Sequence, residues 1–388
     1  MPLHLVLKNL FAHKLRTVLT LLSILVAIFL ICILRSVVTS LEAGVEAASA
    51  RRLVVQSAVS LFVDLPLSYQ SKIAAVEGVD GICKWQWFGG VYQDPSNFFA
   101  QFAVDTENVL EIYPEFEVVA GSADEFLSDR GTCLIGDGLV SRFGWKIGDT
   151  VPLIGTIFPR AGGGAWEFRV AAIYHSTAAN IDNATMYFHF DYLRESLETG
   201  AAYGQPGVGV YVLRLTPGAK AEAVMARVDR LFENGPQRVQ TTTEAEFSRQ
   251  FVTMLGNVPT FIASIGGGVL FAILLAVLNT MLLAARERTH DFGILKALGF
   301  GDGTVFALLL VESLLLCALG GILGIVLARG VEPAFRAVFG AFLPGFGVTG
   351  ETILLALMLS IAVGVLAGIV PALQARRLRA VDALRAEV

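Results

Sequence analysis

Four stretches of this chain run for 18 residues or more with little or no charge, and such stretches have few places to go except a bilayer. Between Arg16 and Arg35 lie 18 uncharged residues, TVLTLLSILVAIFLICIL, just enough to cross a hydrocarbon core as a helix. Between Arg249 and Arg286 lie 36, from which a span at about 260–285 can be drawn. Thr304–Ala328 is apolar except for Glu312, and 24 uncharged residues separate Glu351 from Arg376. The first run is too long for the apolar core of a signal peptide, and no small-x-small cleavage site follows closely. It reads as an uncleaved anchor. Composition agrees: 54% of the 388 residues are hydrophobic and 16% charged, against about a quarter charged in soluble proteins, and mean hydropathy is +0.64. A disordered chain is excluded.

The charge is unevenly placed. Residues 39–257 carry 26 Asp/Glu and 16 Lys/Arg, net −10, whereas the rest carries 8 and 13, net +5. No broad cationic face is available, which argues against nucleic acid as a partner. Basic residues near the span ends set the orientation. Lys8, Lys14, Arg16, Arg286, Arg288, Lys296, Arg376, Arg377, Arg379 and Arg385 fall on one side, against Arg329 and Arg336 on the other. Both termini are therefore expected in the cytoplasm and residues 39–257 outside. The expected fold is an α-helical membrane protein with four transmembrane helices and a large mixed α/β extracytoplasmic domain.

That outer segment is punctuated by turn signals such as Asp94-Pro95, Gly136-Asp137-Gly138, Gly148-Asp149 and Pro217-Gly218. Strand-like runs lie at Leu53–Val63, Thr132–Ile135, Phe168–Tyr174 and Val208–Leu215. Helical patterns lie at Ser68–Val76, Gly138–Phe143 and Ala219–Phe232. Val37–Ala58 looks like a helical continuation of span one, overlapping the first strand-like run, and Thr243–Asn257 leads into span two. The two would act as stalks.

Catalytic patterns are missing. There is no GxxxxGK[ST], HExxH, GxSxG or CxxC, and Asp291-Phe292-Gly293 matches a kinase tripeptide without the rest of a kinase. No catalytic residue, bound cofactor or metal is expected. His175, Asp182, His189 and Asp191 can be drawn as a metal cluster, but their spacings fit no ligand pattern. Cys32 and Cys317 read as small apolar fillers of spans. Cys83 and Cys133 lie in the outer segment, where a disulfide can persist; their separation is not given by sequence, so pairing and free thiols both stand open. Asn183-Ala184-Thr185 matches a glycosylation sequon by pattern alone. Glu312 is the costliest residue in the membrane, either a hydrogen-bonded packing group or one whose pairing changes as helices move. Gly320, Gly321 and Gly324, and Gly364 with Gly368, have spacings that let helix backbones approach closely.

The segment between spans two and three, RERTHDFGILKALGFGDG, is charged at its start and amphipathic after it. It suits a short helix at the membrane face or a peg for a partner's groove. This run resembles the coupling-helix signature of the MacB/FtsX family of ABC-transporter permeases, the match falling on Glu287, Arg288, Gly293, Ile294, Leu295, Lys296, Ala297 and Gly299, with Asp291-Phe292 where the family has a glutamate. The opening LKNLFAHKLRTVLTLLSI resembles the family's amphipathic N-terminal helix. The close GIVPALQARRLRAVDALRAE resembles its terminal motif through Pro371, Ala372, Ala375, Ala383, Leu384 and Arg385, and departs from it near Val381, where the family has a second proline. VESLLLCALGGILG puts Glu312 in the family's acidic position, and GTCLIGDGLVSRFGWKIGDTVPL resembles a strand–helix–turn–strand segment of its outer domain.

The resemblance implies an outer domain with a porter-like part and an inserted subdomain. It divides the chain into 1–38 (N-terminal helix and span one), 39–257 (periplasmic domain with stalks) and 258–388 (FtsX-like region with coupling helix 286–303 and cytoplasmic tail). It implies that Glu287, Arg288, Asp291, Phe292, Gly293, Ile294, Leu295 and Lys296 couple to a separate cytoplasmic ATPase subunit, which holds ATP and Mg, while this chain binds no cofactor. A second permease copy, membrane lipids, and either a periplasmic adaptor with an outer-membrane channel or a lipoprotein carrier are the other implied partners. The expected location is the bacterial inner membrane and the expected function export of a periplasmic or membrane-derived substrate. A lipoprotein-releasing permease and an FtsX-like signalling or hydrolase-activating protein are the alternatives.

Overall fold

Four long helices carry the uncharged runs: α1 (Lys14–Glu46), α9 (Val258–Glu287), α11 (Asp302–Phe339) and α12 (Gly350–Arg377). The computed structural model describes residues 14–254, 258–339 and 345–378. The N-terminal motif up to His13 and the tail residues Arg379, Val381, Ala383, Leu384 and Arg385 lie outside them. The chain forms two units, one from the described residues of Met1–Thr39, Asn257–Phe335 and Phe346–Val388, the other from those of Ser40–Gly256 and Arg336–Gly345.

In the helical unit, glycines set the packing. A side chain on Gly324 would begin 2.7 Å from the Leu25 carbonyl oxygen of α1, and one on Gly368 would begin 2.9 Å from Ser313 Cβ of α11. Only hydrogen fits there, so α11 meets the backbone of α1 and α12 lies tight against α11, as small residues permit in lipid. Two hydroxyls add polar ties: Ser313 donates to the Gly364 carbonyl at 2.7 Å, and Ser360 donates to the Cys317 carbonyl. α9 packs on α12.

The second unit is built on a sheet. Strands β1 (Arg52–Ser57) and β2 (Val79–Trp87) are joined by α2 (Tyr69–Ala74). Strands β10 (Val210–Leu215) and β11 (Val239–Thr243) are joined by α7 (Ala221–Leu231). They lie in the order β11-β1-β10-β2, all antiparallel, two split β-α-β units interleaved. The chain between β2 and β10 is an insertion that extends the same sheet. It holds β3 (Gly90–Val91), β4 (Ala100–Val104), α3 (Thr106–Ile112), β5 (Glu117–Gly121), α4 (Ala123–Ser128), β6 (Thr132–Gly136), α5 (Asp137–Phe143), β7 (Thr150–Gly155), β8 (Trp166–His175), β9 (Thr185–His189) and α6 (Phe190–Glu198). From β2 the order continues β4-β9-β6-β8-β7-β3, with β5 also on β8. Every residue of β1, β6 and β9 is buried, whereas β7 alternates exposed and buried. The former are covered on both faces and the latter on one.

Gly136 ends β6 where the chain must pass Asn183. A Cβ there would sit 2.0 Å from the Asn183 carbonyl oxygen, which explains the Gly136-Asp137-Gly138 turn in closer terms than turn propensity.

One expectation needs correction, and one open alternative is decided. Span one does not continue as helix to Ala58: α1 stops at Glu46, and Arg52–Ser57 is a central strand. The β-branched pair Val54-Val55 favours that outcome, and partners on both edges satisfy its backbone. Cys83 and Cys133 are both free. They sit on β2 and β6 with β4 and β9 between them, three strand spacings of about 4.8 Å, far beyond the roughly 7 Å that a disulfide spans. They also serve different core clusters. On the other stalk, α8 (Glu244–Met254) is helical as read.

Candidate functional site

α9 ends at Glu287, and after one non-helical residue, Arg288 (φ −101°, ψ 14°), the chain starts α10 (Thr289–Ala297). Its end is encoded locally. Gly299 takes φ +92°, the Gly299 amide donates to the Lys296 carbonyl and the Phe300 amide to that of Leu295, both at 3.1 Å. That double return is a glycine-terminated helix stop, which turns the chain into α11.

The faces of α10 differ. Phe292 and Gly293 are buried, Phe292 within the core of the helical unit. Glu287, Asp291, Ile294, Leu298 and Phe300 are exposed, Leu298 to 72%. Leu295 is half-buried and packs toward the spans. The outward surface is therefore an apolar strip of Ile294, Leu298 and Phe300 with Asp291 beside it.

Two of the predicted coupling residues turn the other way. Arg288 Nη1 donates to both carboxylate oxygens of Glu312, at 3.0 and 2.9 Å, with Arg288 6% and Glu312 3% exposed. A guanidinium–carboxylate pair away from water gains little net stability, but removing one member of such a pair costs about 3–5 kcal/mol. Lys296 Nζ donates to the Arg376 and Leu378 carbonyls at the end of α12, at 2.9 and 2.6 Å, and meets Asp302 at 2.8 Å. Those are carbonyls a helix end leaves without partners. Arg16 on α1 donates to Glu287. Glu312 is thus paired with Arg288. The partner was within reach of sequence reasoning: an intramembrane acid close to a span end calls for a nearby base.

Sequence reading missed a second node, in the sheet unit. Arg52, 3% exposed, is held by Glu244 (Nε to Oε2, 2.8 Å), by Glu115 (2.8–2.9 Å) and by the Ile112 carbonyl (3.1 Å), with its guanidinium over the Tyr113 ring. The Ser49 amide also donates to Glu244, at 2.7 Å. Burial alone would ease the proton off Arg52, but the hydrogen bonds to Glu115 and Glu244 outweigh it and raise the pKa. A cleft of about 400 Å³ opens beside it, in which Arg214 meets Asp80 at 3.0 Å, Arg52 meets Glu115 and Arg51 donates to the Leu215 carbonyl. No local pattern marks residues 52, 115 and 244 as neighbours.

The four candidate metal residues do not converge, and the histidines go to separate partners. His175 meets Asp137 at 2.8 Å; His189 meets Thr106 Oγ1 and the Phe126 carbonyl. Asp182 accepts from the Ala184 amide and the Thr185 hydroxyl, and burial still raises its carboxyl to about 6. Among the described residues, no three His, Cys, Asp or Glu come together as a metal site.

Two family profiles match the chain: the MacB-like periplasmic core domain over residues 17–231, more than half of it, and the FtsX-like permease C-terminal region over 263–380. The chain is an ABC transporter permease of the MacB/FtsX family. The permease is 25% identical over 329 residues to the uncharacterized ABC transporter permease MJ1507 of Methanocaldococcus jannaschii, covering 81% of this chain and 78% of that one. It is 28% identical over 214 residues to the macrolide export ATP-binding/permease protein MacB of Agrobacterium fabrum, 53% of this chain and 31% of MacB, so it spans about a third of that longer protein. The crystal structure of the periplasmic region of MacB from Actinobacillus actinomycetemcomitans aligns over 55% of the permease and 96% of that region, at 8% identity and a TM-score of 0.38.

Proposed function

We propose that the permease turns ATP hydrolysis by a separate cytoplasmic ATP-binding subunit into conformational work of its periplasmic domain, and so exports a periplasmic or membrane-derived substrate. ATP and Mg belong to that subunit. It docks on the outward strip of α10, with Ile294 and Leu298 as its apolar anchors and Glu287 and Asp291 at the rim. The observation that carries this reading is the two-sidedness of α10: one face is secured to the spans by Arg288 and Lys296, and the other presents exposed apolar side chains on a helix with a definite stop. A second copy of the permease completes the working unit. Both termini lie in the cytoplasm, supported by the basic residues at span ends.

The test is Ile294→Asp with Leu298→Asp, tagged and expressed with the ATP-binding subunit. Charge buried at that contact costs several kcal/mol, so co-purification is expected to fall about 100-fold while insertion is retained. Leu295 is a poorer choice than Leu298, because it packs toward the spans. Normal assembly and normal stimulation of ATP turnover by the double variant would remove α10 as the coupling surface.

A further inference from the structure

α10 is tied to two spans that follow it in sequence, by groups that are costly to separate. Arg288 occupies the break between α9 and α10, and its fork reaches Glu312 on α11. Lys296 sits one turn before the helix stop and reaches past Asp302 to the last carbonyls of α12. Between them, Phe292 is 1% exposed in the same core cluster as Val305 and Leu309 of α11 and Ala372 and Ala375 of α12. The backbone link to α9, by contrast, passes through a single residue with non-helical angles.

We propose that Arg288 and Lys296 are positioning residues. They lock α10 onto α11 and α12, so that a displacement of α10 reaches those spans through side chains rather than along the chain from α9. Charge-assisted hydrogen bonds from Arg288 Nη1 to both carboxylate oxygens, away from water, are among the strong ones, so Glu312 follows Arg288. The Lys296 ammonium ties the other end of α10 to a helix terminus that needs donors. The outward strip of α10 is left free to be pushed. The proposal rests on reading that strip as the face toward the ATP-binding subunit, and it assigns Glu312 the role of receiving the motion.

The experiment uses the full-length permease in lipid nanodiscs, alone and with the ATP-binding subunit that co-purifies from its native membranes. Two quantities are read: hydrogen exchange of the amides of residues 289–297, and ATP turnover. Glu312→Gln is expected to speed exchange of that segment about ten-fold or more, since local opening free energy falls when a tie is lost. The subunit should still bind with wild-type affinity while its stimulated turnover drops at least about five-fold, a split that general loss of structure does not produce. The exchanged pair Arg288→Glu with Glu312→Arg should recover more than half of both effects. Lys296→Met, at the water-facing end, should speed exchange about three-fold, and it decides the matter if Glu312→Gln fails to insert. Unchanged exchange in Glu312→Gln, or in Lys296→Met should that arm decide, overturns the proposal, as does loss of subunit binding together with turnover. If wild-type permease binds no ATP-binding subunit, the proposed function fails while the exchange arm still decides the lock.

Discussion

Arg52 in the sheet unit and Arg288 in the helical unit are both buried, and they are held differently. Arg52 is gripped by carboxylates from residues 115 and 244, a carbonyl from 112 and the ring of Tyr113. Arg288 is forked onto a carboxylate 24 residues away, on the next long helix. The first arrangement fastens strand β1 to the start of α8 and to the loop after α3, joining parts of the chain that meet only once the sheet has formed. The second fastens one short helix to its neighbours. A grip that gathers distant segments of chain around a cation suits a fixed joint, whereas a tie between segments adjacent in the chain can travel with them.

That contrast is open to breakage, most directly at Arg52. Arg52→Met leaves Glu115 and Glu244 without their shared cation and should cost about 3–5 kcal/mol. The four tryptophans, Trp85, Trp87, Trp145 and Trp166, all lie in the sheet unit, so fluorescence-detected denaturant unfolding of the full chain reads that unit alone. A loss under about 1 kcal/mol would demote the node to an ordinary surface bridge.

Next comes a pair of glycines that contrasts the units by space. Gly136→Ala sets a methyl 2.0 Å from the Asn183 carbonyl oxygen, whereas a Cβ on Gly266 of α9 meets nothing within 4 Å. The first should lose about 1–3 kcal/mol by forced displacement and the second stay within about 0.5 kcal/mol. Equal effects would mean that the close approach at Asn183 relaxes freely.

Asp182 sharpens the picture through pH. Burial raises its carboxyl from 3.8 to about 6, so the folded state holds this proton more tightly than the unfolded chain does. The sheet unit should therefore be favoured below about pH 4 and lose stability as pH rises toward 6, the full cost being felt above that. For this half-buried side chain the cost is about 1–2 kcal/mol. Asp182→Asn should gain that amount at pH 7 and flatten the slope between pH 4 and 6. A wild-type profile with no slope in that window would show Asp182 ionised throughout.

The smallest expected effect separates the two arginines most cleanly. Arg288→Met should leave tryptophan-detected unfolding within about 0.5 kcal/mol of wild type, since the two arginines lie in different units. A loss matching that of Arg52→Met would make the chain one cooperative unit and dissolve the contrast.

What the sequence by itself determined is what depends on neighbours along the chain. Uncharged length marked the four spans, because the cost of charge in hydrocarbon is paid residue by residue. Gly299 after Lys296-Ala297-Leu298 encodes the stop of α10 just as locally, though only the structure showed it, because a left-handed residue returns its amide to the preceding turn. The run from Arg286 to Gly303 carried the family signature for the same reason. Tertiary structure decided the rest. It turned Arg288 and Lys296 inward while leaving Ile294 and Leu298 outside, although all four share one short motif, because helix rotation is set by what packs behind it. It ended α1 at Glu46 and drew Arg52–Ser57 into the sheet, because two partner strands satisfy that backbone. It kept Cys83 from Cys133 by placing two strands between them, and it brought residues 52, 115 and 244 to one charge. Contacts between distant segments depend on strand order and helix pairing, and neither is written in any local stretch of the chain.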